Sequence, residues 1–157
     1  MKNKEAKSLE ENEKCLGCAL TSKSLPVLVV YEDDNVCCFL DHDPFNEGHT
    51  LILPKQHYHY IDEMDGETIN SIMHATQLVS KAIKNLFNPD GITICQNGGK
   101  FDDLTHFHMH VVPRFENQPF AEFYTDEPWE NEKLRNKLPF TRIEIAEAIQ
   151  HMMEQKL

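Results

Sequence analysis

His106-Phe107-His108-Met109-His110-Val111-Val112-Pro113 is the stretch from which the rest of the chain can be read. Along a β-strand successive side chains point to opposite faces, so the three histidines line one face and Phe107, Met109 and Val111 the other. The strand has a chemical side and a core side. Imidazoles two residues apart lie roughly 6.5–7 Å from each other, close enough to hold different parts of one small anionic group. A merely amphipathic strand gains no packing by setting three titrating rings side by side.

The neighbouring segments supply a sheet for this strand. Residues 92–97 (ITICQN) read as a strand, and 98–103 (GGKFDD) as a loop that delivers the chain to the histidines as an antiparallel neighbour. Residues 25–32 (LPVLVVYE) and 35–40 (NVCCFL) are β-rich runs around Asp33-Asp34, a hairpin. After a polar turn over 41–48, residues 49–54 (HTLILP) make a third strand, which Pro54 ends. A helix is predicted over 66–87, where Ile69, Ile72, Met73, Thr76, Val79, Ala82, Ile83 and Leu86 recur at helical spacing until Asn88-Pro89-Asp90-Gly91 stops it. Residues 115–140 are rich in Pro, Asn and acid and are expected to wrap the surface without much regular structure, with Phe115, Phe120, Phe123, Tyr124 and Trp129 needing burial. Thr141-Arg142-Ile143-Glu144 has the spacing of a capping box, and Ile145, Ala148, Ile149, Met152 and Met153 form one face of the helix it would start.

At 157 residues the chain is the size of one domain and can bury a true core without disulfides. Its net charge of −11 argues against polyanions such as DNA, whose backbone is bound mostly by Lys and Arg; a small phosphorylated ligand remains compatible. No apolar run approaches 18 residues and residues 1–14 are charged throughout, so neither a membrane span nor a signal peptide is expected, and the reading is a cytoplasmic protein with a frayed tail over 1–14. Five cysteines, an odd number, weigh against a disulfide framework. Cys37, Cys38 and Cys95 sit among apolar residues as small core hydrophobes. Cys15 and Cys18 form a C-x2-C pair with a glycine in the spacer, suited to a zinc site and, taken alone, equally to a redox pair.

With these pieces in order, the chain resembles the histidine triad (HIT) superfamily of nucleotidyl hydrolases and transferases. The match runs from Cys15 to Arg114 through Cys15-x2-Cys18, Val30-Tyr31-Glu32-Asp33, Phe39-Leu40-Asp41, Gly48-His49-Thr50-Leu51-Ile52-Leu53-Pro54-Lys55-Gln56-His57, Asn97-Gly98-Gly99 and the triad itself. The resemblance implies an α+β fold, an antiparallel sheet of about five strands with a packed central helix, used as a homodimer. It divides the chain into a tail (1–14), a HIT domain (15–114) and an extension with a terminal helix packed on that domain (115–157). In zinc-bearing members the ligand positions map onto Cys15, Cys18, His57 and His106, a closed set of two thiolates and two imidazoles of the kind that holds structural zinc. The family's nucleophile maps onto His108, which attacks the α-phosphorus of a bound nucleotide, with His110 and His49 facing the phosphate oxygens. Asp41 matches a ribose-binding carboxylate and Asn97 a contact on the phosphate or leaving-group side. His42, His59, His74 and His151 receive no role.

The chain departs from the family pattern just before the triad. Many members carry Gly-Gln and then a Ser/Thr-type residue where this chain has Phe101, Asp102 and Asp103. Carboxylates beside an anionic substrate repel it unless they point to solvent, share a cation with it, or face a leaving group bearing an amine. The expected substrates are a dinucleoside polyphosphate, a nucleoside phosphoramidate or a nucleotidyl conjugate. The alternative is a nucleotide-binding or interaction module without significant turnover.

Overall fold

The computed structural model describes residues 15–125 and 127–155; the tail expected over 1–14 lies outside the described residues. Five strands, β1 (Val29–Glu32), β2 (Val36–Leu40), β3 (Thr50–Pro54), β4 (Gly91–Cys95) and β5 (Met109–Arg114), form one antiparallel sheet in the order β1-β2-β3-β5-β4. Among the described residues three α-helices accompany them, α1 (Leu16–Thr21), α2 (Gly66–Phe87) and α3 (Glu132–Glu154). This is the α+β architecture that the sequence predicts.

The period-2 pattern gives the sheet two different faces. Val36, Cys38, Leu40, Ile52, Phe107 and Val111 point to the side covered by α2 and α3, joining Ile72, Ala75, Leu78, Val79, Ala82, Ile83, Leu138, Ile145 and Ile149 in the main core. α2 forms where predicted. Asp65 caps it by accepting the Thr68 N–H at 2.8 Å, and Asn88, at φ 45°, ends it in the left-handed conformation. Its buried stripe is rotated slightly from the predicted one, taking in Ala75 and Leu78 and leaving Met73 and Leu86 exposed.

Two elements differ from the sequence reading. The triad does not lie wholly within a strand: β5 starts at Met109, and His106 to His108 precede the ladder. The register that pairs Ile52 with Met109 runs out at Pro54, which has no N–H to donate, and the Phe107 N–H turns instead to the Tyr58 carbonyl at 2.7 Å. The terminal helix begins not at Thr141 but after Asn131, whose side chain accepts the Leu134 N–H at 3.2 Å. The helix carries Pro139 inside it, and Thr141 is a buried mid-helix residue whose hydroxyl donates to Glu47 at 3.3 Å.

Candidate active site and metal centre

The sheet face away from the long helices carries the candidate site residues, between two satellite clusters. At one end Cys37, Phe39 and Leu53 pack with Leu20, Val29, Leu51 and Leu104. There α1 sets Cys15 at its N-cap and Cys18 in its first turn against His57 and His106. The separations are 3.5 Å from Cys15 Sγ to His106 Nδ1, 3.4 Å from Cys18 Sγ to His57 Nδ1, 3.6 Å from Cys18 Sγ to His106 Nδ1 and 3.3 Å between the two Nδ1 atoms. Zinc with bonds of about 2.3 Å to sulfur and 2.0–2.1 Å to nitrogen has tetrahedral edges of about 3.6 Å (S to N) and 3.3 Å (N to N). The four edges match. His106 Nε2 donates to the Pro54 carbonyl at 2.9 Å, which leaves the Nδ1 lone pair for an ion. Burial, with Cys15 alongside, pushes the Cys18 thiol up to about 12, and burial takes His106 down to about 4.

His108, His110 and His49 stand next to this cluster, and main-chain groups fix their tautomers. His108 Nδ1 donates to the His106 carbonyl at 3.0 Å, so its Nε2 keeps a lone pair. His49, fully buried just before β3, accepts the Phe45 N–H on Nδ1 at 3.1 Å, so its proton sits on Nε2. That proton is donated to His110 Nδ1 at 2.9 Å, and His110 therefore carries its own on Nε2. Both rings are neutral, since burial holds His49 well below its ordinary value and His110 at about 3. The His108 and His110 ring centroids are 4.9 Å apart, so a lone pair and an N–H donor adjoin each other.

Asp41 continues β2, its N–H donating to the His49 carbonyl at 3.0 Å and its Oδ2 lying 3.7 Å from His49 Nε2. Burial raises its carboxyl above the ordinary range. Asp41, His49 and His110 have ligand atoms close enough to surround an ion, but the proton on His49 Nε2 is given to His110, so the two rings form a donor chain with Asp41 beside it. Asn97 is half-buried two residues past β4, whose Cys95 pairs with His110.

Four residues that the sequence reading places nowhere in the site border these histidines. Phe123, from the segment after β5, lays its ring 5.3 Å from His110 and 5.8 Å from His49; Trp129 lies 5.9 Å from His49 and 5.2 Å from Phe45. Asp43 clasps this cover by accepting the Trp129 N–H at 3.0 Å and the Arg135 guanidinium at 2.8 Å. The fourth is Asp102, whose Oδ1 stands 3.5 Å from His108 Nδ1 with only 4% of the side chain exposed. The aromatic run and the Asp-Asp pair are visible in the sequence, but their direction is not.

Residues 22–117 match the HIT domain family. An uncharacterized HIT-like protein of Methanocaldococcus jannaschii is 36% identical over 104 residues, 65% of this chain and 80% of that protein. Adenylylsulfatase HINT3 of Arabidopsis thaliana is 32% identical over 123 residues, 77% of this chain and 58% of that protein. Among solved structures, a zinc-bound histidine triad family protein from Mycobacterium smegmatis superimposes with a TM-score of 0.74 at 26% identity, covering 92% of this chain and 99% of that one. The ordered motifs, the five-stranded sheet and these relatives agree, and the chain belongs to the HIT family.

Proposed function

We propose that this protein is a nucleotidyl hydrolase or transferase that works through a covalent nucleotidyl-His108. The observation that carries the reading is the tautomer order: the His106 carbonyl holds the proton on His108 Nδ1, so the Nε2 lone pair is free to attack an α-phosphorus. His110 offers its Nε2–H to a phosphate oxygen, and His49 backs it through the chain that starts at the Phe45 amide. Asp41 is proposed to hold ribose hydroxyls and Asn97 to meet the phosphate or leaving-group side. The substrate is a dinucleoside polyphosphate, a nucleoside phosphoramidate or a nucleotidyl conjugate; the adenylylsulfatase relative supports an adenylyl group.

Zinc at Cys15, Cys18, His57 and His106 is proposed as structural, because four protein ligands leave no open position and the binding energy becomes folding energy. A homodimer is proposed along β4, an edge strand on which Ile94 is 48% exposed; sedimentation equilibrium giving a monomer at micromolar concentration would exclude it. No described helix is long and apolar enough to cross a membrane. A cytoplasmic location is proposed because none of the described cysteines is joined in a disulfide.

Intact mass spectrometry after rapid quenching with diadenosine tetraphosphate, adenosine 5′-phosphoramidate and adenosine 5′-phosphosulfate tests the chemistry. An adenylyl adduct should form on the wild-type protein and vanish in His108→Ala, while nucleotide affinity stays within about tenfold. Binding without an adduct or turnover on any of the three would instead make the protein a nucleotide-binding module.

A further inference from the structure

Between β4 and β5 the chain makes a 3-10 turn over Gly99–Phe101 and then reverses at Thr105, whose φ of 53° places a β-branched residue in the left-handed region. Such residues rarely adopt that conformation, and it persists where the surroundings impose it. The loop sorts its side chains sharply. Phe101 is 82% exposed and Asp103 faces solvent, while Asp102 between them is folded inward. Asp102 Oδ1 accepts the Leu104 N–H at 2.8 Å, which pins the carboxylate 3.5 Å from His108 Nδ1. His108 is itself 8% exposed. The Nδ1–H is donated to the His106 carbonyl, and the carboxylate stands beside the same nitrogen, on the edge of the ring away from Nε2.

We infer that Asp102 is a positioning residue for His108 and the counter-charge of its nucleotidylated ring. The inference rests on the nucleotidyl-transfer reading above. When the Nε2 lone pair forms the N–P bond, the bond from phosphorus to the leaving group breaks and its electron pair departs with that group. Nδ1 keeps its proton, so the ring becomes positively charged. In the second step a water oxygen bonds to phosphorus, the N–P pair returns to Nε2, and one water proton passes to solvent. Positive charge on the ring exists only in the intermediate and grows or fades in the two transition states around it. A fixed carboxylate in a nearly dry site is felt by that charge far more than by a ring that lacks it, whereas the His106 carbonyl supplies only a dipole. The place of Asp102 behind the ring, on the Nδ1 edge, lets a negative group stand in an anion-binding site without lying in the path of the phosphate.

Asp102→Asn separates charge from shape, because its side-chain oxygen still accepts the Leu104 N–H. Full-length wild type, Asp102→Asn and Asp102→Ala are mixed with adenosine 5′-phosphoramidate and diadenosine tetraphosphate, quenched in milliseconds and weighed, with thermal midpoints measured alongside. Asp102→Asn should keep its midpoint and substrate affinity, form the adduct about 10- to 100-fold more slowly, and hold a smaller fraction of protein as adduct at steady state. Where Asp102→Asn folds poorly, the pair Asp102→Glu and Asp102→Gln serves, with only the Glu variant retaining wild-type adduct levels. Adduct formation equal to wild type in Asp102→Asn, or equal in the Glu and Gln variants, overturns the inference and leaves Asp102 as a loop cap. A wild-type adduct that requires His108 but ignores the charge at residue 102 overturns this inference alone; no wild-type adduct overturns it together with the reading it rests on.

Discussion

One backbone amide, that of Phe45, decides which nitrogen of His110 carries the proton. It occupies His49 Nδ1, the His49 proton moves to Nε2, and His110 Nδ1 becomes an acceptor. The arrangement requires both rings to be neutral, and burial keeps them so. Around them stand His108, Asp41 and the Phe123 and Trp129 rings, which cover His49 fully and His110 in large part. Stability should record this. Unfolding releases both rings to bind protons at the ordinary histidine pKa of about 6.5, while the fold resists protonation far below it, so the unfolded chain takes up more protons and stability falls as pH drops from about 6.5 to about 5. Each ring contributes at most about 1.4 kcal/mol per pH unit. Urea denaturation of wild type and His110→Gln at pH 7.5, 6.5 and 5.5 tests it: contributions common to both proteins cancel, and the variant should lose stability less steeply by up to about 1 kcal/mol per unit. Parallel slopes would show that His110 is protonated as readily in the fold as out of it.

At the scale of elements, α1 exists to carry two sulfurs, and Gly17 between them is where it meets the triad. A Cβ built on Gly17 lies 2.4 Å from both Cβ and Cγ of His106, atoms at the root of that side chain that cannot swing aside. Gly17→Ala must therefore displace the helix or the histidine. It is expected to cost about 1–3 kcal/mol and to lower zinc retained through purification, read by metal analysis and chelator competition; metal content and midpoint equal to wild type would mean that the helix has room to move. This contact shows what a one-dimensional pattern conveys. The C-x2-C spacing, the alternation in Phe107, Met109 and Val111, and the 3.6-residue recurrence in α2 are each imposed by one element's own geometry, so they can be read from the sequence. The start of β5 could not be, because it depends on where β3 loses its donors at Pro54. The start of α3 was masked by Pro139 and by a capping pattern at Thr141 that the fold uses for a buried contact with Glu47. Asp102 was visible as a departure from the family pattern, but whether it faces solvent or His108 is decided by the backbone reversal at Thr105.

For the whole molecule, the division of the sheet into a packed face and a chemical face makes α3 part of the site although it lies on the opposite side. Leu138, Ile145 and Ile149 of α3 are buried in the same core as α2 and β2, and its first turns hold Arg135 against Asp43 and, through Asp43, the Trp129 cover over His49. Fully burying a side chain of this size contributes about 1.5–3 kcal/mol, so these three together are worth roughly 5–9 kcal/mol, comparable with the entire stability of an ordinary domain. Deleting residues 131–157 should therefore do more than shorten a tail. The remaining chain, although it holds every triad, cysteine and β-strand residue, is expected to lose its cooperative thermal transition, bind a hydrophobic dye and show no adduct formation. Arg135→Ala, which leaves the three apolar anchors in place, should instead melt within a few degrees of wild type and lose activity through the loosened cover over His49 and His110. Circular dichroism melts and the adduct assay on both variants separate the two contributions of α3. A deletion variant with a sharp transition near the wild-type midpoint would show that the sheet and α2 close the core without it.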